Sequence, residues 1–178
     1  MSSALRDFFD ELDGFTESIS LDFLTRRLTK LETSLDDVRE HMQFGDKTYR
    51  RNLIRQGPRY QALVLCWRSG QRSPIHDHRG SICGVRILSG VAVETFFERT
   101  EDGWIYATRS RELGKNQVCG SQDSDIHQVS NLRPRGEDLV TLHIYSPPLL
   151  VMGTYSLTDA TRVEVAEPVY VFSNGAGI

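Results

Sequence analysis

Along the first 43 residues the apolar positions recur at helical spacing. In "SALRDFFDEL", Leu5, Phe8, Phe9 and Leu12 form one stripe. After a break at Gly14, "SLDFLTRRLTKLE" puts Leu24, Leu28 and Leu31 on one side, with Ser20 as N-cap. "TSLDDVREHM" begins again at Ser34 and carries acids in its first turn, where a helix dipole favours them. From about residue 47 the pattern changes to short runs rich in β-branched and aromatic residues: 60–67, 81–90, 91–98, 104–113, 138–146 and 163–172. Gly70, Gly80, Ser89-Gly90, Asp102-Gly103, Gly114 and Arg135-Gly136 punctuate them. Many short strands with turns between them predict a mainly β fold, an antiparallel sandwich or closed barrel. A short helical N-terminal region over 1–43 leans on a β body over 44–178. No repeat, low-complexity run or linker divides the chain, so 1–178 reads as a single domain.

Composition narrows the function classes. The chain has 178 residues, 39% hydrophobic and 25% charged, enough for a packed core. Net charge is -3, and Arg26-Arg27 and Arg50-Arg51 are pairs rather than a basic stripe, so no nucleic-acid partner is expected. No window approaches 18 apolar residues, and the acidic start "MSSALRDFFDELDG" lacks an apolar signal core. A cytoplasmic protein with no membrane partner, a monomer or weak homo-oligomer, is the expectation. Cys66, Cys83 and Cys119 are odd in number and far apart, which argues against a disulfide framework and against a CxxC zinc clamp.

The chemistry begins at "SPIHDHRG", residues 73–80. If this stretch is extended, His76 and His78 point one way and Asp77 the other. A metal needs a third donor, and His41, His127 and His143 are the remaining histidines. His41 reads as a solvated helix-end residue, whereas His127 in "SDIHQVSN" can face the His76–His78 segment. Gly70, His76, His78, Cys83 and Gly90 read G-x5-H-x-H-x4-C-x6-G. That resembles the first motif of the cupins at every fixed position except the glutamate, whose place Cys83 takes. His127 with Asn131 resembles the end of the second cupin motif, without its usual Pro-x-Gly. Three neutral imidazoles would leave a divalent ion with full charge and open positions, suited to an anionic sulfur. Imidazole suits iron, zinc, copper and nickel alike.

With "YRRNLI" (49–54), "LCW" (65–67), "IHDH" (75–78), "HQVSN" (127–131) and "LHIYSPP" (142–148), the chain resembles the thiol dioxygenases, specifically cysteine dioxygenase, over roughly residues 45–150. The resemblance implies a cupin-type jelly-roll barrel that uses Fe(II) and O2 to oxidise L-cysteine to its sulfinate. It implies His76, His78 and His127 as iron ligands, Arg51 on the substrate carboxylate and Tyr49 lining that pocket. It also implies Cys83 and Tyr145 as a thioether-forming pair, His143 behind the tyrosine, Thr141 where animal members have serine, and a cis Ser146–Pro147 bond. The residue chemistry agrees: Thr141, His143 and Tyr145 alternate on one strand and can form a relay. A guanidinium forks onto a carboxylate.

Three alternatives stand beside this. A sibling enzyme acts on another small thiol such as 3-mercaptopropionate; such members usually carry glutamine for the arginine, and Gln56 and Gln61 lie near. A zinc or manganese cupin isomerase or hydrolase is a second, and a non-catalytic metal- or ligand-binding cupin a third. Cys66, Cys119 and Trp67 are expected in the core, Met152 and Tyr155 in core or loop packing. Asp77 receives no role, and residues 149–178 offer only the strand-like "VEVAEPVYVF".

Overall fold

The computed structural model describes residues 1–166. Two helices, α1 (Ser3–Asp13) and α2 (Leu21–Lys30), are followed by a single turn, α3 (Leu35–Val38), and a 3-10 turn at Arg39–His41. Eleven strands follow among the described residues: β1 (Arg50–Gln56), β2 (Gln61–Trp67), β3 (Ile75–His76), β4 (Ile82–Ser89), β5 (Val91–Arg99), β6 (Ile105–Gly114), β7 (Val118–Ser121), β8 (Ile126–Ser130), β9 (Leu139–Ser146), β10 (Val151–Tyr155) and β11 (Arg162–Ala166). They form two antiparallel sheets, ordered β1-β2-β9-β4-β7 and β11-β10-β3-β8-β5-β6. This is the mainly β, antiparallel architecture with a helical N-terminal region that the pattern predicts.

The helices begin where the caps place them: the Ser2 and Ser20 hydroxyls accept from the backbone N–H of Leu5 and Phe23. The predicted third helix shrinks to one turn, with Asp37 accepting from the Ser34 N–H and from the Ser2 N–H. Asp37 thereby ties the start of α1 to α3 rather than extending α3.

Strand β2 is buried along its whole length because both its faces are covered. Ala62, Val64 and Cys66 join Leu5, Phe8, Leu24 and Leu28 under the helices. Leu63, Leu65 and Trp67 join Val85, Val129 and Met152 between the sheets. Helix α2 rests on β4 and β7 at the cross-strand pair Gly84–Gly120. A Cβ there would come within 2.8 Å of Leu24 and 2.7 Å of Leu21, so glycine sets the depth of the helix.

Strands β1, β3, β7, β8 and β10 are absent from the pattern-based prediction. The predicted strand over 163–172 is present as β11 over Arg162–Ala166, and residues 167–172 lie outside the described residues.

Candidate metal centre

His76 sits on β3 directly opposite His127 on β8, with Thr154 of β10 on its other side. The expectation that His76 and His78 share a strand needs correcting, because β3 ends at His76. The alternation nevertheless continues two residues further, and Asp77 is the reason. Its N–H donates to the Gly153 carbonyl, and its carboxylate accepts from Gly153 N–H, the Tyr155 hydroxyl at 2.6 Å and Arg162 Nη2 at 2.5 Å. Pinned to β10 and β11, Asp77 faces away while its two neighbours turn inward.

The three imidazoles converge. Their ring centroids lie 4.7–5.2 Å apart. One ligand atom from each falls within 4.8 Å of the others, and all three residues are buried. His76 Nδ1 is 3.0 Å from the Pro74 carbonyl and His127 Nδ1 is 2.8 Å from Glu94 Oε1. Both acceptors require a proton on Nδ1, so the neutral form of each ring carries its lone pair on Nε2. His127 Nε2 stands 3.2 Å from His78 Nε2. Burial, then the neighbouring histidines, pushes His76 and His78 well below the usual imidazole range, so both are neutral. Lone pairs aimed at one point at that separation suit two donors bonded to one ion at about 2.0–2.1 Å. The donor set fits a divalent metal.

The cavity beside them is small, about 310 Å³ with its mouth included. It is lined by Tyr49, Arg51, Leu65, Trp67, Ser73, Cys83, Val85, Val129, His143 and Tyr145 besides the three histidines, and none of these is an acid. Cys83 stands where a fourth, glutamate donor would be. Burial drives its thiol well above its usual range, so it stays protonated.

Thr141, His143 and Tyr145 do share the inner face of β9. Thr141 Oγ1 is 2.9 Å from His143 Nε2, and His143 Nδ1 is 3.2 Å from the Tyr145 hydroxyl. Trp67, assigned from sequence to the core alone, adds a fourth member: its indole N–H donates to Thr141 Oγ1 at 3.1 Å. An indole can only donate, so Thr141 accepts there, and its hydroxyl can either donate to His143 Nε2 or accept from it as well. The imidazole tautomer sets the direction: with the proton on Nδ1 His143 donates to the tyrosine oxygen, and with the proton on Nε2 it accepts from the tyrosine hydroxyl. Burial, then Arg51, lowers His143 to about 3, and burial raises Tyr145 well above its ordinary value. The relay is neutral throughout.

Arg51 points inward, 3% exposed, while Arg50 reaches Gln43 on the other side of the strand. Among the described residues, Arg51 Nε and Nη2 have no hydrogen-bond partner, and Nη1 meets only the Met152 sulfur, at 3.8 Å. The guanidinium carbon lies 5.4 Å from the Tyr145 ring centre. Tyr49 stacks on Trp67 with centroids 4.0 Å apart. Gln61 hydrogen-bonds Gln56, and neither lines the cavity. His41 lies in the 3-10 turn, away from the cluster. The Ser146–Pro147 bond is cis.

Glu94 escaped the sequence reading. Burial opposes its ionisation, but His127 and Arg111 together hold the carboxyl below its ordinary range. Its signal was faint, a lone acid at an inward position of the run 91–98.

Comparison with known proteins gives a consistent result. A family model described as Cysteine dioxygenase type I matches residues 6–158. The protein named Cysteine dioxygenase type 1 from Danio rerio is 30% identical over 145 residues, covering 79% of this chain and 72% of that one. Its counterpart from Rattus norvegicus is 36% identical over 112 residues, 61% of this chain and 56% of that one. Among solved structures, TT1209 from Thermus thermophilus shares the fold, with a TM-score of 0.53 and 16% identity over 65% of this chain and 99% of that one.

Proposed function

The chain belongs to the cysteine dioxygenase type I family, and from that premise we propose that it is an Fe(II)-dependent thiol dioxygenase that converts L-cysteine to cysteine sulfinate. Sulfur gains both atoms of O2 and loses four electrons, which balances the reduction of O2 without an added reductant. The observation that carries the substrate class is Arg51, a buried guanidinium with two unpartnered donors beside a three-histidine cluster. A buried cation without a counter-ion is costly unless a ligand brings the anion. Arg51 and the three histidines line one cavity, so a small thiol carboxylate can meet both.

Iron held by His76, His78 and His127 would supply the redox centre at which thiol and O2 meet. Arg51 binds the carboxylate through parallel N–H donors, and the Tyr49 ring, fixed by its stack on Trp67, walls that end. Tyr145, which lines the cavity, presents its hydroxyl to the reacting sulfur and oxygen atoms. His143 holds the tyrosine oxygen from behind and Thr141 holds His143. Apolar Leu65, Val85 and Val129 keep water out.

A second reading, a thiol carboxylate without an amine such as 3-mercaptopropionate, is favoured by one observation: among the described residues no acid lines the cavity to meet an ammonium. Oxygen uptake by iron-loaded protein with a panel of small thiols, with sulfinate detected by mass, separates the two. Turnover of neither cysteine nor 3-mercaptopropionate would overturn the proposal.

A further inference from the structure

The three histidines are backed very differently. His76 rests on a neutral carbonyl, and His78 Nδ1 has no partner among the described residues. His127 alone is backed by a carboxylate, Glu94, 2% exposed in its side chain and 2.8 Å from Nδ1. The placement follows from register. Phe96 of β5 pairs with His127, and Glu94, two residues earlier on the same face, lies diagonal to it. The opposite partner of Glu94 on β6 is Arg111, whose Nε and Nη2 reach Oε2 at 2.7 and 2.6 Å. One oxygen therefore serves Arg111 and the other serves His127. Rotating the carboxylate out of this arrangement would weaken both contacts at once.

We propose that Glu94 is a positioning residue that supplies the centre's negative charge indirectly, through His127. It locks the His127 proton on Nδ1, fixes the ring so that Nε2 faces the other two histidines, and makes this nitrogen the strongest donor of the three. The charge that a directly bound glutamate would place on the ion, absent here because Cys83 stands in that position, is moved one ring away. The coordination face stays open while part of the charge compensation is kept. Arg111 holds the carboxylate in place and moderates its charge.

The inference rests on the three histidines binding metal, but not on which thiol is oxidised. It is tested without substrate. Fe(II) affinity is measured by competition with a coloured chelator under argon, for the wild type and for Glu94→Gln. A 10- to 100-fold loss, of about the size seen when the outer partner of a ligating histidine is removed, is expected. A shift of the Fe(III)/Fe(II) potential to more positive values should accompany it, since the ferric ion gains more from the anion. A folded Glu94→Gln protein with unchanged affinity and potential would overturn the inference. If that variant does not fold, wild-type protein loaded with Zn(II) and labelled with ¹⁵N-histidine decides the matter. The His127 Nδ1 proton should be present and lie furthest downfield of the three, and its absence refutes the assignment. Wild-type protein that binds neither metal would sink the metal reading itself, a separate outcome.

Discussion

Cys83 and Tyr145 stand directly opposite one another on the neighbouring antiparallel strands β4 and β9, both turned into the cavity. Side chains so paired have Cβ atoms about 4.5–5.5 Å apart. A sulfur–ring-carbon bond between them needs little backbone movement. Protein incubated with Fe(II), cysteine and air should lose two hydrogens in intact mass, and Cys83→Ser should not. A wild-type mass that never changes would count against the bond.

Arg51→Ala should raise KM for cysteine while sparing cysteamine, which has no carboxylate. Hydrogen bonds to charged groups contribute about 1.5–3 kcal/mol, or about 10- to 150-fold in KM. Equal losses for the two thiols would place the guanidinium elsewhere in the reaction. Arg51→Met should fold at least as stably as the wild type, because it removes a buried charge with no counter-ion among the described residues. Thermal unfolding without substrate checks this.

His143, lowered to about 3 by burial and then by Arg51, stays neutral in the folded protein far below the ordinary value of 6.5. The unfolded chain therefore takes up a proton between those values that the folded chain refuses. Stability contributed by this residue is complete above pH 6.5 and is lost as pH falls toward 3. In apoprotein, His143→Gln should flatten the acid limb of stability by about 1.4 kcal/mol per pH unit. Urea midpoints across that range measure it, and parallel curves for the two proteins would refute it.

Metal should stabilise the fold through the three histidines. A ligand at about 100 times its dissociation constant adds about 2.7 kcal/mol. Fe(II) should therefore raise the unfolding temperature of the wild type and of His41→Ala, whose ring lies outside the cluster. It should leave His127→Ala unmoved, with substoichiometric metal by elemental analysis. Stoichiometric metal in that variant would remove His127 from the centre.

Helices α1 and α2 were legible because each buries one apolar stripe, and β2 and β9 because their apolar runs are buried along the whole strand. The missing strands were not. Strand β3 has two residues, and β8 carries His127 and Gln128 among its five. Strand β1 reads as polar because Arg51 and Asn52 are buried in it; the Asn52 amide donates to the Gln43 and Val64 carbonyls. The His76–His78 pair was visible in its spacing, and His127 joined it through the family resemblance. Glu94 and the Trp67 donor were not, because a lone acid or indole acquires a partner only when the β5–β8 and β2–β9 registers are known.

Asp77 sits between two inward-facing histidines and grips the hairpin of β10 and β11 through Gly153, Tyr155 and Arg162. That hairpin acts as a buckle on the strap that carries two of the three donors. Trimming the chain back past Arg162 would loosen the buckle, and ion retention should then fail on warming at temperatures where the body of the molecule still holds its shape.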